Sequence, residues 1–310
     1  MITIDLVTGF LGAGKTTFIK KYAAYLAESG ARVGILENDY GAVNVDVMLL
    51  EELEKIGCGL ETVAGACDRD CHVRRFKTKL IALAMSGYDR VIVEPSGIFD
   101  TDEFFDSLHE EPLDRWYNTG SVITIADAGA DEKFSEKFEY IFGSECAAAG
   151  TIILSRTQDV SEDMARKTVK HIEQSVQSIG CRRNVTDCII RKNWDDLTQQ
   201  DMQKISQSGY FPADFIKKYH DISGCSSLYF MNSGLFAMQI CDISKKIFSD
   251  DSCGNVFRIK GFITENSEWY ELNDTKSSHS LKPIGKGQEI IIVIGENLNK
   301  AEINRCFGEV

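Results

Sequence analysis

The chain has 310 residues, of which 43% are hydrophobic and 26% charged, proportions that are ordinary for a globular protein with a large core. This length predicts about two domains. The formal net charge of −13 argues against a nucleic-acid partner, because phosphates repel an acidic surface. We find no apolar run of the roughly 20 residues that a transmembrane helix needs and no secretory signal, so we expect a cytoplasmic protein with no membrane partner.

A glycine-rich loop follows the first predicted strand, residues 2–7. Residues 9–17 have the sequence Gly-Phe-Leu-Gly-Ala-Gly-Lys-Thr-Thr, with the spacing G-x-x-x-x-G-K-T. Such a loop closes its backbone N–H groups around phosphates, and the helix predicted over 16–29 directs its positive end at the same anion. The spacing predicts a nucleoside triphosphate site in which Lys15 contacts the β- and γ-phosphates and Thr16 holds Mg²⁺. The residues predicted to bind the nucleotide here are Gly9, Gly12, Ala13, Gly14, Lys15, Thr16 and Thr17.

Acidic residues follow the next two predicted core strands. The strand over 32–37 ends at Glu37, and a polar loop with Asp39 and Asp46 comes after it. A later apolar strand ends in Glu94, within the sequence Glu-Pro-Ser-Gly. Ligands of open α/β sheets bind at the carboxyl ends of strands, so these acids are expected near the phosphate loop. A carboxylate delivered there by a buried strand is typical of Mg²⁺ coordination, which we predict for Glu94.

Strands and helices alternate up to about residue 205, which predicts an α/β fold with a doubly wound, mostly parallel sheet over 1–205. The other elements predicted here are a short helix over 47–56, a loop over 57–71, helices over 72–86, 101–109, 131–142 and 161–178, and strands over 121–126, 150–154 and 187–190. Residues 206–226 have the composition of a connector. Closely spaced strands then predict a smaller α+β domain over 227–310 with an antiparallel sheet. Its predicted elements are helices over 235–248 and 300–307 and strands over 256–263, 268–272 and 289–294.

Together these motifs resemble the CobW-type GTPases of the CobW/HypB/UreG-like metallochaperone family, a branch of the P-loop NTPases. The family opens with Gly-Phe-Leu-Gly-x-Gly-Lys-Thr-Thr, which residues 9–17 match throughout. Its Asn-Glu-Phe-Gly-x-x-x-x-Asp loop is similar to 38–46, where Asp39 replaces Glu, and its Glu-x-Ser/Thr-Gly turn is similar to 94–97. Its Arg-x-Lys-Gly strand is similar to 258–261 in the smaller domain.

The resemblance implies a nucleotide-dependent metal or metallo-cofactor chaperone that hydrolyses GTP slowly, with Mg²⁺ as a cofactor. It implies Lys15, Glu94 and Asp39 as catalytic residues, with Asp39 or Asp46 sensing the γ-phosphate. It also implies a client metalloenzyme or cofactor-binding protein as a partner and allows a homodimer. Two other interpretations remain open: a P-loop small-molecule kinase, and a non-catalytic module that binds nucleotide and metal.

Ten cysteines are scattered along the chain, and without an export signal we expect them to be reduced. Cys67, Cys71 and His72 stand where the family carries Cys-x-Cys-Cys, and their side chains suit Zn²⁺ or another transition metal. Cys58 or Glu37 would supply a further ligand. The alternative is that both cysteines pack under the loop and that His72 only begins the following helix.

Base selection is predicted at residues 155–159, Ser-Arg-Thr-Gln-Asp, which stand where the family carries Asn-Lys-x-Asp. Gln158 occupies the position of the Asp that accepts both guanine N–H donors, and its carbonyl would accept one of them without a charge. Asp159, one residue later, would restore the charge if it moved inward. We therefore predict that Arg156, Gln158 and Asp159 contact the nucleotide, with GTP favoured and ATP as the alternative.

Overall fold

A computed structural model describes residues 1–10, 12–38, 52–63, 69–95, 101–129, 135–213, 225–276 and 278–308. The chain divides into two compact units, Met1–His220 and Asp221–Val310. Among the described residues, no helix combines the length and the apolar character that crossing a bilayer requires.

The first unit is built on a seven-stranded parallel sheet with the order β3-β2-β4-β1-β5-β6-β7. Its strands are β1 (Ile2–Thr8), β2 (Val33–Asn38), β3 (Gly59–Val63), β4 (Arg90–Pro95), β5 (Tyr117–Asp127), β6 (Thr151–Ser155) and β7 (Ile189–Ile190). β1 lies in the middle of this order, with β4 on one side and β5 on the other. The predicted doubly wound, mostly parallel sheet is therefore confirmed, and the loop after β1 leaves the centre of the sheet.

Helices cover both faces of this sheet. They are α1 (Lys15–Glu28), α2 (Arg69–Met85), α3 (Thr101–Leu108), α4 (Leu113–Trp116), α5 (Glu136–Ala148), α6 (Glu162–Ser178) and α7 (Gln199–Ser206). Alternate residues of a strand point to opposite faces. Ile35 and Ile92 accordingly pack with α1 in one apolar cluster, while Leu36 and Val93 pack with α2 in another. We call these two sides the α1 face and the α2 face.

The second unit has a five-stranded antiparallel sheet with the order β11-β10-β9-β12-β8. Its strands are β8 (Cys225–Met231), β9 (Asn255–Glu265), β10 (Glu268–Thr275), β11 (His279–Ile284) and β12 (Ile290–Glu296), and its helices are α8 (Ala237–Ser249) and α9 (Lys300–Phe307). One apolar cluster joins the helices to the sheet through residues such as Ile240, Ile259 and Ile303. The predicted smaller α+β fold is thus also present.

The structure corrects several predicted elements. The segment 57–71, predicted as a loop, contains β3 and the first residues of α2, so Cys71 is helical and the helix begins at Arg69 instead of His72. The helix predicted over 131–142 is α5, which extends to Ala148; almost all of its later residues are buried, so the apolar periodicity of a surface helix is absent there. β8, β11 and α7 were not predicted as separate elements. Most of the helix predicted over 47–56 lies outside the described residues.

Candidate functional site

The glycine-rich loop joins β1 to α1 at the carboxyl end of the central strand. Gly9 has φ 138°, and a Cβ there would lie 2.2 Å from the backbone oxygen of Ile125 in β5. Gly14, which precedes α1, has φ 102°, and a Cβ there would lie 2.6 Å from Cη2 of Trp194. Both positions therefore require glycine, because the positive φ disfavours a side chain and because a Cβ would collide with a neighbouring atom.

Lys15 begins α1 and is 7% exposed. Its ammonium group donates a hydrogen bond of 2.8 Å to the backbone oxygen of Gly9, so the side chain folds back over the loop. A lysine in this position keeps a positive charge beside the loop amides and the amino end of the helix. All three features attract phosphate groups.

Thr16 and Glu94 meet at the same end of the sheet. The Thr16 hydroxyl donates a hydrogen bond of 2.9 Å to Oε1 of Glu94, which is buried near the end of β4. In the register of β2 and β4, Glu37 stands directly beside Glu94, and strand alternation directs both carboxylates to the α1 face. A hydroxyl and carboxylates supply the hard oxygen ligands that Mg²⁺ requires, so the residues present fit this ion.

Arg156 connects the predicted base-reading segment to the loop. It precedes the short turn Thr157–Asp159 and has φ 54°. Its guanidinium group pairs with the carboxylate of Asp127 at the end of β5 and donates a hydrogen bond of 2.9 Å to the backbone oxygen of Gly12. Burial raises the pKa of Asp127, and the charge of Arg156 partly offsets that effect. Sequence reasoning missed Asp127, although its position at a strand end was a usable signal.

Gln158 and Asp159 form an exposed polar pair next to Arg156. The amide nitrogen of Gln158 donates a hydrogen bond of 3.1 Å to Oδ2 of Asp159. The amide and the carboxylate therefore lie side by side, and the pair offers both a neutral and a charged acceptor.

Trp194 is a further residue of the site that the sequence did not reveal. Its ring lies against Gly14 and makes an edge-to-face contact with Phe18, with 6.1 Å between the ring centroids. A hydrogen bond of 2.7 Å from Lys21 to Asp195 attaches the same turn to α1. The segment after β7 therefore borders the loop at the carboxyl end of the sheet.

In the described part of the chain, the predicted transition-metal ligands do not come together at one site. Cys67, Asp39 and Asp46 lie outside them. Cys71 and His72 are neighbours on α2, where consecutive side chains do not face the same direction. His72 is fully buried, on the stripe that continues with Phe76 and Leu80 toward the α2 face.

The two further ligands that were predicted as alternatives lie elsewhere. Glu37 points to the α1 face beside Glu94, and Cys58 is buried in the apolar cluster of that face, where burial raises its pKa. Within the described ranges, no three histidine, cysteine or acidic residues form a group that could hold a metal.

One sequence family and several curated proteins match part of the chain. The sequence profile described as CobW/HypB/UreG, nucleotide-binding domain matches residues 3–186. The chain is 27% identical to zinc chaperone YeiR of Escherichia coli (strain K12) over 180 residues, which cover 57% of this chain and 51% of that protein. It is 26% identical to zinc chaperone YjiA of the same organism over 166 residues, which cover 52% of this chain and 51% of that protein. The chain thus spans about half the length of these curated relatives.

One solved structure also aligns with the chain. The crystal structure of Zn(II)-bound YjiA GTPase from E. coli aligns over 99% of this chain and 98% of that chain, with 18% identity and a TM-score of 0.35.

Proposed function

Since this chain belongs to the CobW/HypB/UreG nucleotide-binding domain family, we propose that it is a nucleotide-dependent metallochaperone that favours GTP and hydrolyses it slowly. The observation that carries the proposal is the Thr16–Glu94 hydrogen bond beside the loop and Lys15. A threonine after the loop lysine, bonded to a strand-end carboxylate, is the arrangement that a P-loop nucleotidase uses for a metal–nucleotide complex.

In the proposed reaction the loop amides and Lys15 bind the β- and γ-phosphates. Thr16 and Glu94 would hold Mg²⁺, which neutralises charge on the transferring phosphoryl group. Asp39 follows the last residue of β2 in the sequence, and we assign to Asp39 or Asp46 the role of sensing the γ-phosphate. Slow hydrolysis is expected because none of the described residues was identified as orienting the attacking water.

We propose that Gln158 and Asp159 together read the base. A carboxylate accepts both N–H donors of guanine, whereas the amide carbonyl accepts one. Since the two groups lie side by side, the preference for GTP over ATP is expected to be weaker than a lone aspartate would give.

We propose a transition metal, with Zn²⁺ favoured, as the cargo that is passed to a client metalloprotein. Cys67 and Cys71 would supply thiolates, which bind Zn²⁺ well. The support for zinc is that two curated relatives are named zinc chaperones.

The nucleotide part is tested by measuring affinity for Mg²⁺–GTP and Mg²⁺–ATP, together with phosphate release. Lys15→Ala should abolish binding, whereas Lys20→Ala, on the same helix and paired with Glu52 at 3.7 Å, should bind as the wild type does. Unchanged affinity of the Lys15 variant would overturn the proposal. Formation of nucleoside diphosphate only with an added small-molecule acceptor would point to a kinase instead.

The metal part is tested by Zn²⁺ titration against a competing chelator. The Cys67→Ser/Cys71→Ser double variant should lose the tight site, and Cys241→Ser in the second unit should retain it. Equal Zn²⁺ affinity of the wild type and the double variant would show that these cysteines are not the ligands.

A further inference from the structure

Glu145 is a carboxyl group, 0% exposed, that contacts the beginning of the phosphate loop. It lies on α5, 137 residues away in sequence from Thr8, whose hydroxyl donates a hydrogen bond of 2.5 Å to its Oε1. The backbone N–H of Gly9 also favours the charged form of this carboxyl group, lowering its pKa. Thr8 is the last residue of β1 and Gly9 is the first residue of the loop. The hydrogen bond to Glu145 therefore fixes the junction between the strand and the loop.

The surroundings of Glu145 act on its pKa in opposite directions. Burial raises its pKa to about 7, although the bond from Thr8, the charge of Lys15 and the Gly9 N–H act in the opposite direction. Cys146, the next residue of α5, is buried too, and its pKa is raised well above the usual value. Thr124 of β5 contacts only the backbone oxygen of Glu145, at 3.0 Å. Among the described residues, Lys15 is the cation whose charge favours the ionised form of Glu145.

We propose that Glu145 is a positioning residue for the phosphate loop and that its carboxylate takes up one proton from solvent when a nucleoside triphosphate binds there. The inference rests on the proposed nucleotide binding. The phosphates bring negative charge close to the carboxylate and engage the Lys15 ammonium group, and both changes disfavour a second anion. The complex with Mg²⁺ keeps a net negative charge, so the metal does not cancel this effect.

Protonation forms a single new O–H bond, on the carboxyl group of Glu145. Oε2 of Glu145 becomes a hydroxyl, and Oε1 still accepts the hydrogen bond from Thr8. The support of the loop is thus retained while the repulsion between the carboxylate and the phosphates is removed.

The sign of the pH dependence follows from linkage. Because the complex binds more protons than the free protein, nucleotide affinity is highest below pH 7 and falls as the pH rises above it. The fall cannot exceed about tenfold per pH unit for a single proton.

Calorimetric titration tests the proposal. The full chain is titrated with the preformed Mg²⁺ complex of GTPγS in two buffers of different ionisation enthalpy, and the difference gives the protons taken up. At pH 7 the wild type should take up about half a proton more than Glu145→Gln, because the group is half titrated in the free protein. Glu139→Gln is the matched control: Glu139 lies on the same helix but bonds to His171 and Ser175, and this variant should behave as the wild type does.

Affinity gives a second readout. At pH 6 the nucleotide affinity of Glu145→Gln should equal that of the wild type. At pH 8 it should be at least about threefold higher, because the amide mimics the protonated acid. Glu145→Ala, which removes the acceptor of the Thr8 hydrogen bond at the end of β1, should weaken binding at both pH values. Rescue of affinity by Gln then separates positioning from charge.

The outcomes are distinguishable from failure of the proposed function. No binding of GTPγS or ATPγS at any pH would overturn the proposed function itself. Binding with equal proton uptake by the wild type and Glu145→Gln would overturn only the role of Glu145. If the variants do not fold, the wild type alone decides, because affinity that does not fall between pH 7 and pH 8 refutes the inference.

Discussion

Removal of the Asp5 carboxylate is expected to destabilise the first unit strongly. Asp5 is fully buried in β1 and accepts hydrogen bonds from Arg90 at 2.5 and 2.9 Å, from the Tyr22 hydroxyl at 2.9 Å and from the backbone N–H of Ser121 at 2.7 Å. Asp5→Ala leaves the Arg90 guanidinium, whose side chain is 17% exposed, without its carboxylate. Breaking a buried ion pair in this way costs about 4 kcal/mol. Urea unfolding measures the change in the free energy of unfolding.

A second Asp–Arg pair supplies the control. Asp89 and Arg32 lie 3.3 Å apart, but their side chains are 53% and 68% exposed, so Asp89→Ala should shift the denaturation midpoint much less. Adding Arg90→Met to Asp5→Ala should recover part of the lost stability, because it removes the unpaired charge. Similar losses for Asp5→Ala and Asp89→Ala would refute the reasoning that burial makes the first pair important.

Three further predictions concern the loop and its surroundings. Gly9→Ala should abolish nucleotide binding, measured by calorimetry, because its Cβ would overlap the backbone oxygen of Ile125; binding at wild-type affinity would contradict the described loop. Glu94→Gln should raise the Mg²⁺ concentration needed for half-maximal phosphate release by about tenfold or more, and an unchanged requirement would remove Glu94 from the metal site. Glu145 should make the protein less stable as the pH rises from about 4.5 to 7, because its pKa is about 7 when folded against a usual value of 4.5. The stability advantage of Glu145→Gln in urea unfolding should therefore grow across that range by about 3 kcal/mol, and a constant difference would exclude the raised pKa.

Central strands of both sheets could be predicted from the sequence, whereas several edge strands could not. β2 and β4 are centred on short apolar runs because helices cover both of their faces, and in β1 the buried apolar residues Ile4 and Leu6 flank Asp5. The three strands that were missed lie at the edges of their sheets: β3 in the first unit, and β8 and β11 in the second. An edge strand is partly exposed, so it needs no apolar run and its sequence resembles that of a loop.

The same distinction applies to the candidate site. Gly9, Lys15 and Thr16 could be identified because their chemistry depends on a fixed local spacing. Glu145 and Trp194 could not, because they reach the loop only through folding, from positions more than a hundred residues away. Residue type alone does not place a side chain: the imidazole of His72 suits a metal, and the structure puts it on the buried stripe of a helix.

The bond from Arg156 to Gly12 has a consequence for the way a ligand would bind. Arginine keeps its charge at any ordinary pH, and here it connects the segment after β6 to the loop. This contact restricts the backbone at Gly12, so a nucleotide would lose less affinity to the entropy of ordering that part of the loop around its phosphates.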